Sequence, residues 1–281
     1  MTSDHTTTEP APSKAGRNLP AAAAVGVVLA SVALGSLFFD RRWFLLLAAT
    51  AMVTAVWELG GALRAAGISL PTPPLYVGVL GVIAAAWFAG AGGVAVGVAL
   101  SVLAVMLWRG MRGATGYLAD TSAGVFTVGY LLMAGGFATL LVREDDGAWR
   151  VVAWLLVVVA SDVGGYAVGV LIGRHPMAPS VSPKKSWEGF GGSVLACVGS
   201  GVAIVVWGLE GPWWAGLVLG VAVALAATLG DLAESLLKRD IGVKDMGSLL
   251  PGHGGVMDRL DSIALSAPVA WLVLTALVPV A

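Results

Sequence analysis

The chain has 281 residues, 58% hydrophobic and 12% charged, with a mean hydropathy of +0.88. Soluble domains carry roughly 25% charged residues, so too few polar side chains are present here to cover a water-facing surface, and apolar spans of about 20 residues joined by short loops are the organisation left. A net charge of -1, from 16 Lys+Arg against 17 Asp+Glu, gives no overall attraction to nucleic acid, and one cysteine, Cys197, rules out an intramolecular disulfide.

Residues 1–18 are polar, contain Pro and Thr and lack a hydrophobic period, so they are expected to be a disordered cytoplasmic tail. Residues 19–281 are expected to form one all-α, polytopic membrane domain. The run from Leu19 to Phe39 follows Lys14 and Arg17 as a secretory signal would, but it is long and further spans follow directly, which predicts no cleavage. Apolar runs continue at about Trp43 to Leu63, Pro74 to Gly90, Gly92 to Trp108, Ala123 to Val142, Val151 to Ile172, Gly191 to Leu209, Trp213 to Leu237 and Ile263 to Ala281, giving nine spans. Only the glycine-rich stretch Ala89 to Gly93 separates the third from the fourth, which predicts a tight helical hairpin or, second, one broken element. Small residues inside the spans, as in AGGVAVGVAL, suit close helix packing. Cys197 is expected to be a packing residue.

Nine spans place Lys14, Arg17, Arg64, Arg109, Arg112, Arg174, Lys184, Lys185, Lys238, Arg239, Lys244 and Arg259 on one side, and Arg41, Arg42, Arg143 and Arg150 on the other. This 12 to 4 division predicts a cytoplasmic N-terminus and an external C-terminus in the cell (inner) membrane.

Acidic residues in apolar runs need a partner, a proton or a polar cavity, because a carboxylate at mid-bilayer costs about 2.5 to 3.5 kcal/mol. Glu58 lies near the inner end of its span, where snorkelling or pairing with Arg64 would satisfy it. Asp162, in VVVASDVGGYAVG, is deeper; its neighbouring glycines suggest close approach of another backbone or a ligand, so a cavity role and a structural hydrogen bond are both open. The segment Asp231 to Asp261, DLAESLLKRDIGVKDMGSLLPGHGGVMDRLD, holds six of the 17 acidic and four of the 16 basic residues. Helical spacing puts Asp231, Glu234, Ser235 and Lys238 on one face that begins inside a span, and Asp258 and Asp261 share a face where the last span begins. Carboxylates gathered this way suit Mg²⁺; interleaved Lys and Arg suit phosphate oxygens. Phosphoryl or nucleotidyl transfer needs both.

A second loop, GRHPMAPSVSPKKSWEGFGG (Gly173 to Gly192), has prolines at 176, 179 and 183 that favour extended backbone, with Lys184, Lys185, Ser182 and Ser186 able to hold phosphate. His175 is expected to be an ordinary loop residue. No HExxH, P-loop or GxSxG pattern occurs.

Ser235 to Asp261 resembles the signature of the phosphatidate cytidylyltransferases (CDP-diacylglycerol synthases), with Ser235, Lys238-Arg239, Lys244-Asp245, Pro251, His253-Gly254-Gly255, Asp258-Arg259 and Asp261 at its fixed positions. GDLAES, SPKKSWEGFGG and SDVGGYAVG also resemble family motifs, so the likeness covers 161–261; Gly164 and Gly165 stand where the family more often has bulkier residues. The resemblance implies condensation of CTP with phosphatidic acid to CDP-diacylglycerol and pyrophosphate. It further implies that Asp231 and Asp258 hold the divalent ion, Mg²⁺, with K⁺ nearby, and that Lys244 joins them in the catalytic set. Ser182, Lys184, Lys185, Lys238, Arg239, His253 and Arg259 are the implied substrate-binding residues, and Asp162, Glu234 and Asp261 additional cavity acids. Expected partners are CTP, phosphatidic acid and membrane lipids, without nucleic acid; a homodimer would be usual for such enzymes, although no interface is legible. The competing expectations are a CDP-alcohol phosphatidyltransferase, whose DGxxAR signature is absent, and a transporter of an anionic substrate, which would place its site at the midplane between repeats.

Overall fold

The structure is a computed structural model, and it describes residues 19–249 and 254–280. The expected tail (1–18), His253 and the C-terminal residue lie outside the described residues. The chain order is α1 (Leu19–Phe39), α2 (Arg41–Ala65), α3 (Thr72–Gly110), α4 (Tyr117–Thr127), a π-helical segment (Val128–Leu132), α5 (Met133–Arg143), α6 (Gly147–Ile172), β1 (Pro176–Ala178), β2 (Ser182–Ser186), α7 (Trp187–Gly208), α8 (Trp213–Asp240), a 3₁₀ turn (Met257–Arg259) and α9 (Asp261–Leu277). Among the described residues, six helices are long and apolar enough to cross a membrane, counting Tyr117–Arg143 as one rod and α3 once; Gly26–Phe39 and Asp261–Leu277 are shorter apolar helices. Large apolar side chains such as Phe88, Leu195 and Trp207 stand exposed on the outer faces, as lipid contact requires. The protein is a helical membrane protein.

α3 is a hairpin, the first of the two forms expected. Gly90 breaks it at φ 66° and ψ -148°, a conformation that only glycine adopts freely. The two arms fold back on each other: a Cβ on Gly97 would sit 3.1 Å from Val82 Cα, and one on Gly78 would meet the Ser101 side chain.

The helical character is as expected, with one small addition. β1 and β2 form a short antiparallel hairpin, with Pro176 opposite Ser186 and Ala178 opposite Ser182. Prolines at 176, 179 and 183 exclude a helix, and two short extended segments remain that can pair.

Helices α6 to α9 form the half of the molecule that carries the clustered acids and bases of Asp231 to Asp261. Their contacts are built on small residues. A Cβ on Gly164 would strike Ala196 and the Gly192 carbonyl, and Gly220 lies against the Cys197 and Val198 backbone. What approaches the glycines beside Asp162 is therefore a backbone, that of α7. Cys197 is buried and its thiol points to the Val157 carbonyl at 3.3 Å, the packing role expected of it.

Candidate active site

The last third of α8 carries Asp231, Glu234 and Lys238 on one face. Lys238 Nζ lies 3.1 Å from Glu234 Oε1 and 2.6 Å from Asp258 Oδ1, while Ser235 Oγ donates to Asp231 Oδ1 at 3.4 Å. The β-hairpin folds over this face. Lys185 Nζ reaches Asp231 Oδ2 at 2.6 Å, and Arg239 Nε donates to the Val181 carbonyl at 3.3 Å. Ser186 then caps α7, its hydroxyl accepting the Gly189 N–H at 3.1 Å, which fixes the lysine pair relative to the helix.

These contacts enclose a cavity of about 520 Å³ between α6, β2, α7, α8 and the start of α9. Asp162, Asp231 and Asp261 are its acidic wall; Lys184, Lys185 and Arg259 are its cationic wall. Ser161, Ser193 and Thr228 add hydroxyls, and Tyr166, Phe190 and Met177 add apolar surface. Gly230 makes the acidic wall possible. It meets α9 so closely that a Cβ there would be 3.4 Å from Ser262 Cα and closer still to the Asp261 carbonyl, so Asp231 and Asp261 come from touching helices.

Of the two residues expected to hold the divalent ion, one lines the cavity and the other does not. Asp231 faces the cavity, but Asp258 does not line it. Asp258 is 3% exposed and its carboxylate is committed elsewhere, accepting the Met246 N–H at 3.1 Å, the Gly255 N–H at 2.7 Å and Lys238 Nζ at 2.6 Å. Burial pushes this carboxyl up, but those donors outweigh burial and hold it below the ordinary carboxylate range. Asp258 is the middle residue of the 3₁₀ turn and Asp261 opens α9, so the turn separates them, one facing the loop and the other the cavity. Among the described residues, no group of three or more His, Cys, Asp or Glu could by itself hold a metal ion.

Glu58 departs from both of the roles expected for it. It neither snorkels nor pairs with Arg64. At 3% exposure it lies beneath the loop that carries Asp258, Oε2 accepting the Met257 N–H at 2.8 Å across 199 residues of chain. Gly247 and Gly255 pack directly on its carboxylate, with no space for a side chain at either position. Thus Glu58 and Asp258 between them hold Met246, Gly247, Gly255 and Met257, described residues on either side of that loop. Nothing in the local sequence AVWELGGAL signals this, because the partner is at the far end of the chain.

The remaining expected residues scatter. Glu234 is buried against Lys238, Ser182 is half-buried in β2 away from the cavity wall, and Arg239 and Lys244 are exposed. His175 is exposed beside Glu188.

A family model described as "Cytidylyltransferase family" matches residues 21–277. The chain is 44% identical to the phosphatidate cytidylyltransferase of Mycobacterium leprae over 281 residues, covering 94% of this chain and 90% of that protein. Against the protein of the same name from Mycobacterium tuberculosis the identity is 42% over 278 residues, covering 94% and 85%. A Helicobacter pylori phosphatidate cytidylyltransferase is 47% identical over 134 residues, 47% of this chain and 50% of that protein.

Proposed function

This chain belongs to the cytidylyltransferase family, and from that membership we propose that it transfers the cytidylyl group of CTP to phosphatidic acid, releasing pyrophosphate and leaving CDP-diacylglycerol. It is a nucleotidyltransferase. The observation that carries the chemistry is a cavity in which three carboxylates and three cations from five separate elements meet.

Mg²⁺ takes one or two protein carboxylates and fills its remaining positions with water and substrate phosphate. The cavity fits that requirement without a closed cage of ligands. Asp231 and Asp261 would hold the ion, with Asp162 adding negative charge beside them. The ion would neutralise the nucleotide phosphates. K⁺ is carried over from the family resemblance alone.

Lys184, Lys185 and Arg259 would bind the phosphates that enter the cavity. Lys185 also reaches Asp231 at 2.6 Å, so a phosphate bound there would share the ammonium with that carboxylate. A phosphate oxygen of phosphatidic acid attacks the α-phosphorus of CTP in line, and the bond to the β-phosphate oxygen breaks to free pyrophosphate. The lipid phosphate is already an oxyanion at neutral pH, so no protein general base is assigned. Lys238, clamped between Glu234 and Asp258, would fix α8 to the loop rather than touch substrate. Lys244, Arg239 and Ser182 stand outside the cavity wall and are proposed only as an outer phosphate-attracting fringe.

The proposed topology has nine crossings, a cytoplasmic N-terminus and an external C-terminus, in the cell (inner) membrane with the cavity facing the cytoplasm, where CTP is found. Family membership across residues 21–277 sets aside the CDP-alcohol phosphatidyltransferase and the transporter. The test is purified protein in detergent with labelled CTP, phosphatidic acid and Mg²⁺. Labelled CDP-lipid that disappears on chelation is expected; folded protein that makes none overturns the proposal.

A further inference from the structure

The rod from Tyr117 to Arg143 is interrupted by the π-helical turn Val128–Leu132. Such turns are rare and recur at functional sites, because one extra residue redirects a side chain from the face it would otherwise occupy. Tyr130 sits in the middle of this one and is 4% exposed. Its hydroxyl lies 3.1 Å from the Asp261 carbonyl oxygen and 3.4 Å from that of Gly230. Phe126 stacks on the ring, centroids 5.4 Å apart, and fixes its direction.

Both acceptors belong to the crossing of α8 and α9. Gly230 immediately precedes Asp231, and Asp261 is itself a cavity acid. One phenolic proton is therefore shared between the two backbones that carry two of the three cavity-facing carboxylates, at the point where those backbones touch. Where two helices meet through a glycine, no side chain of that residue interlocks at the contact, and a donor bridging their carbonyls can fix their relative offset there. Phenylalanine would fill the same volume and leave both carbonyls without this donor.

We propose that Tyr130 is a positioning residue that sets the distance between the Asp231 and Asp261 carboxylates, and through it the affinity of the site for a divalent cation. The proposal rests on the metal-dependent cytidylyl transfer set out above. It assigns a role in the active site to the half of the chain in which the sequence shows no motif.

The experiment titrates Mn²⁺ into purified full-length protein, with CTP present and lipid absent, and reads bound ion by electron paramagnetic resonance. Tyr130→Phe is expected to weaken Mn²⁺ binding about tenfold, within the range seen when a group that orients a metal ligand is removed, and to raise the Mn²⁺ needed for half-maximal turnover equally. Thr139→Val removes another buried hydroxyl of the same rod, one bonded at 2.8 Å to the Gly135 carbonyl within its own helix, and is expected to leave Mn²⁺ binding unchanged. Unaltered Mn²⁺ binding in folded Tyr130→Phe overturns the proposal, as does an equal loss in Thr139→Val. Should Tyr130→Phe not fold, Phe126→Leu decides: it loosens the ring but keeps the hydroxyl, and a threefold weakening supports the role while none refutes it. Asp231→Asn tests the underlying function separately. If it binds Mn²⁺ as the parent protein does, the metal site itself is misplaced and the role of Tyr130 falls with it.

Discussion

Glu58→Ala isolates the buttress under Gly247, Gly255 and Met257. The substitution removes the acceptor of the buried Met257 N–H, now satisfied at 2.8 Å. A buried donor left without a partner costs about 1 to 3 kcal/mol. If about 2 kcal/mol of that falls on the arrangement that presents Arg259 and Asp261 to the cavity, turnover drops about 30-fold, at roughly 1.4 kcal/mol per tenfold. Glu58→Gln keeps a carbonyl oxygen for the same N–H and is expected to stay within about fivefold of the parent rate. The assay is initial-rate formation of labelled CDP-lipid from CTP and phosphatidic acid in detergent, with a thermal unfolding midpoint recorded for each variant. A Glu58→Ala protein that turns over within twofold of the parent refutes the buttress, whatever its midpoint does. Equal loss in the Ala and Gln variants would refute the hydrogen-bond argument in particular and point to the charge instead.

Lys238→Met leaves the Asp258 carboxylate with two backbone donors and no cation, and Glu234 without its neighbour. Breaking a buried pair on one side costs about 3 to 5 kcal/mol, so a lowered unfolding midpoint is expected in a detergent melt, and an unchanged midpoint would show that the clamp contributes nothing. For the topology, a reporter fused after Ala281 is expected to register outside the cytoplasm, and a cytoplasmic signal would remove the nine-crossing arrangement.

The apolar runs and the crowding of acids and bases in Asp231 to Asp261 were legible from sequence because both are local properties. Burial in lipid demands an uninterrupted apolar stretch, and helical spacing alone places Asp231, Glu234 and Lys238 on one face. The lysine pair of the proline-rich loop was likewise visible as a candidate, and prolines at 176, 179 and 183 already excluded a helix there. What the linear pattern left open was which charges face one another. A 3₁₀ turn of three residues sends Asp258 into the loop and Asp261 into the cavity, and no periodicity announces a turn that short.

Two roles depend wholly on contacts between distant parts of the chain. Glu58 meets Met257 across 199 residues, and Tyr130 reaches Gly230 and Asp261 across 100 and 131. A hydrogen bond of that span leaves no trace in spacing, since each partner sits in an ordinary apolar neighbourhood of its own. The residue types that can bind phosphate and magnesium were therefore written in the sequence. The selection of those that share a cavity was made by helix packing, through the glycines that let α6 meet α7 and α8 meet α9.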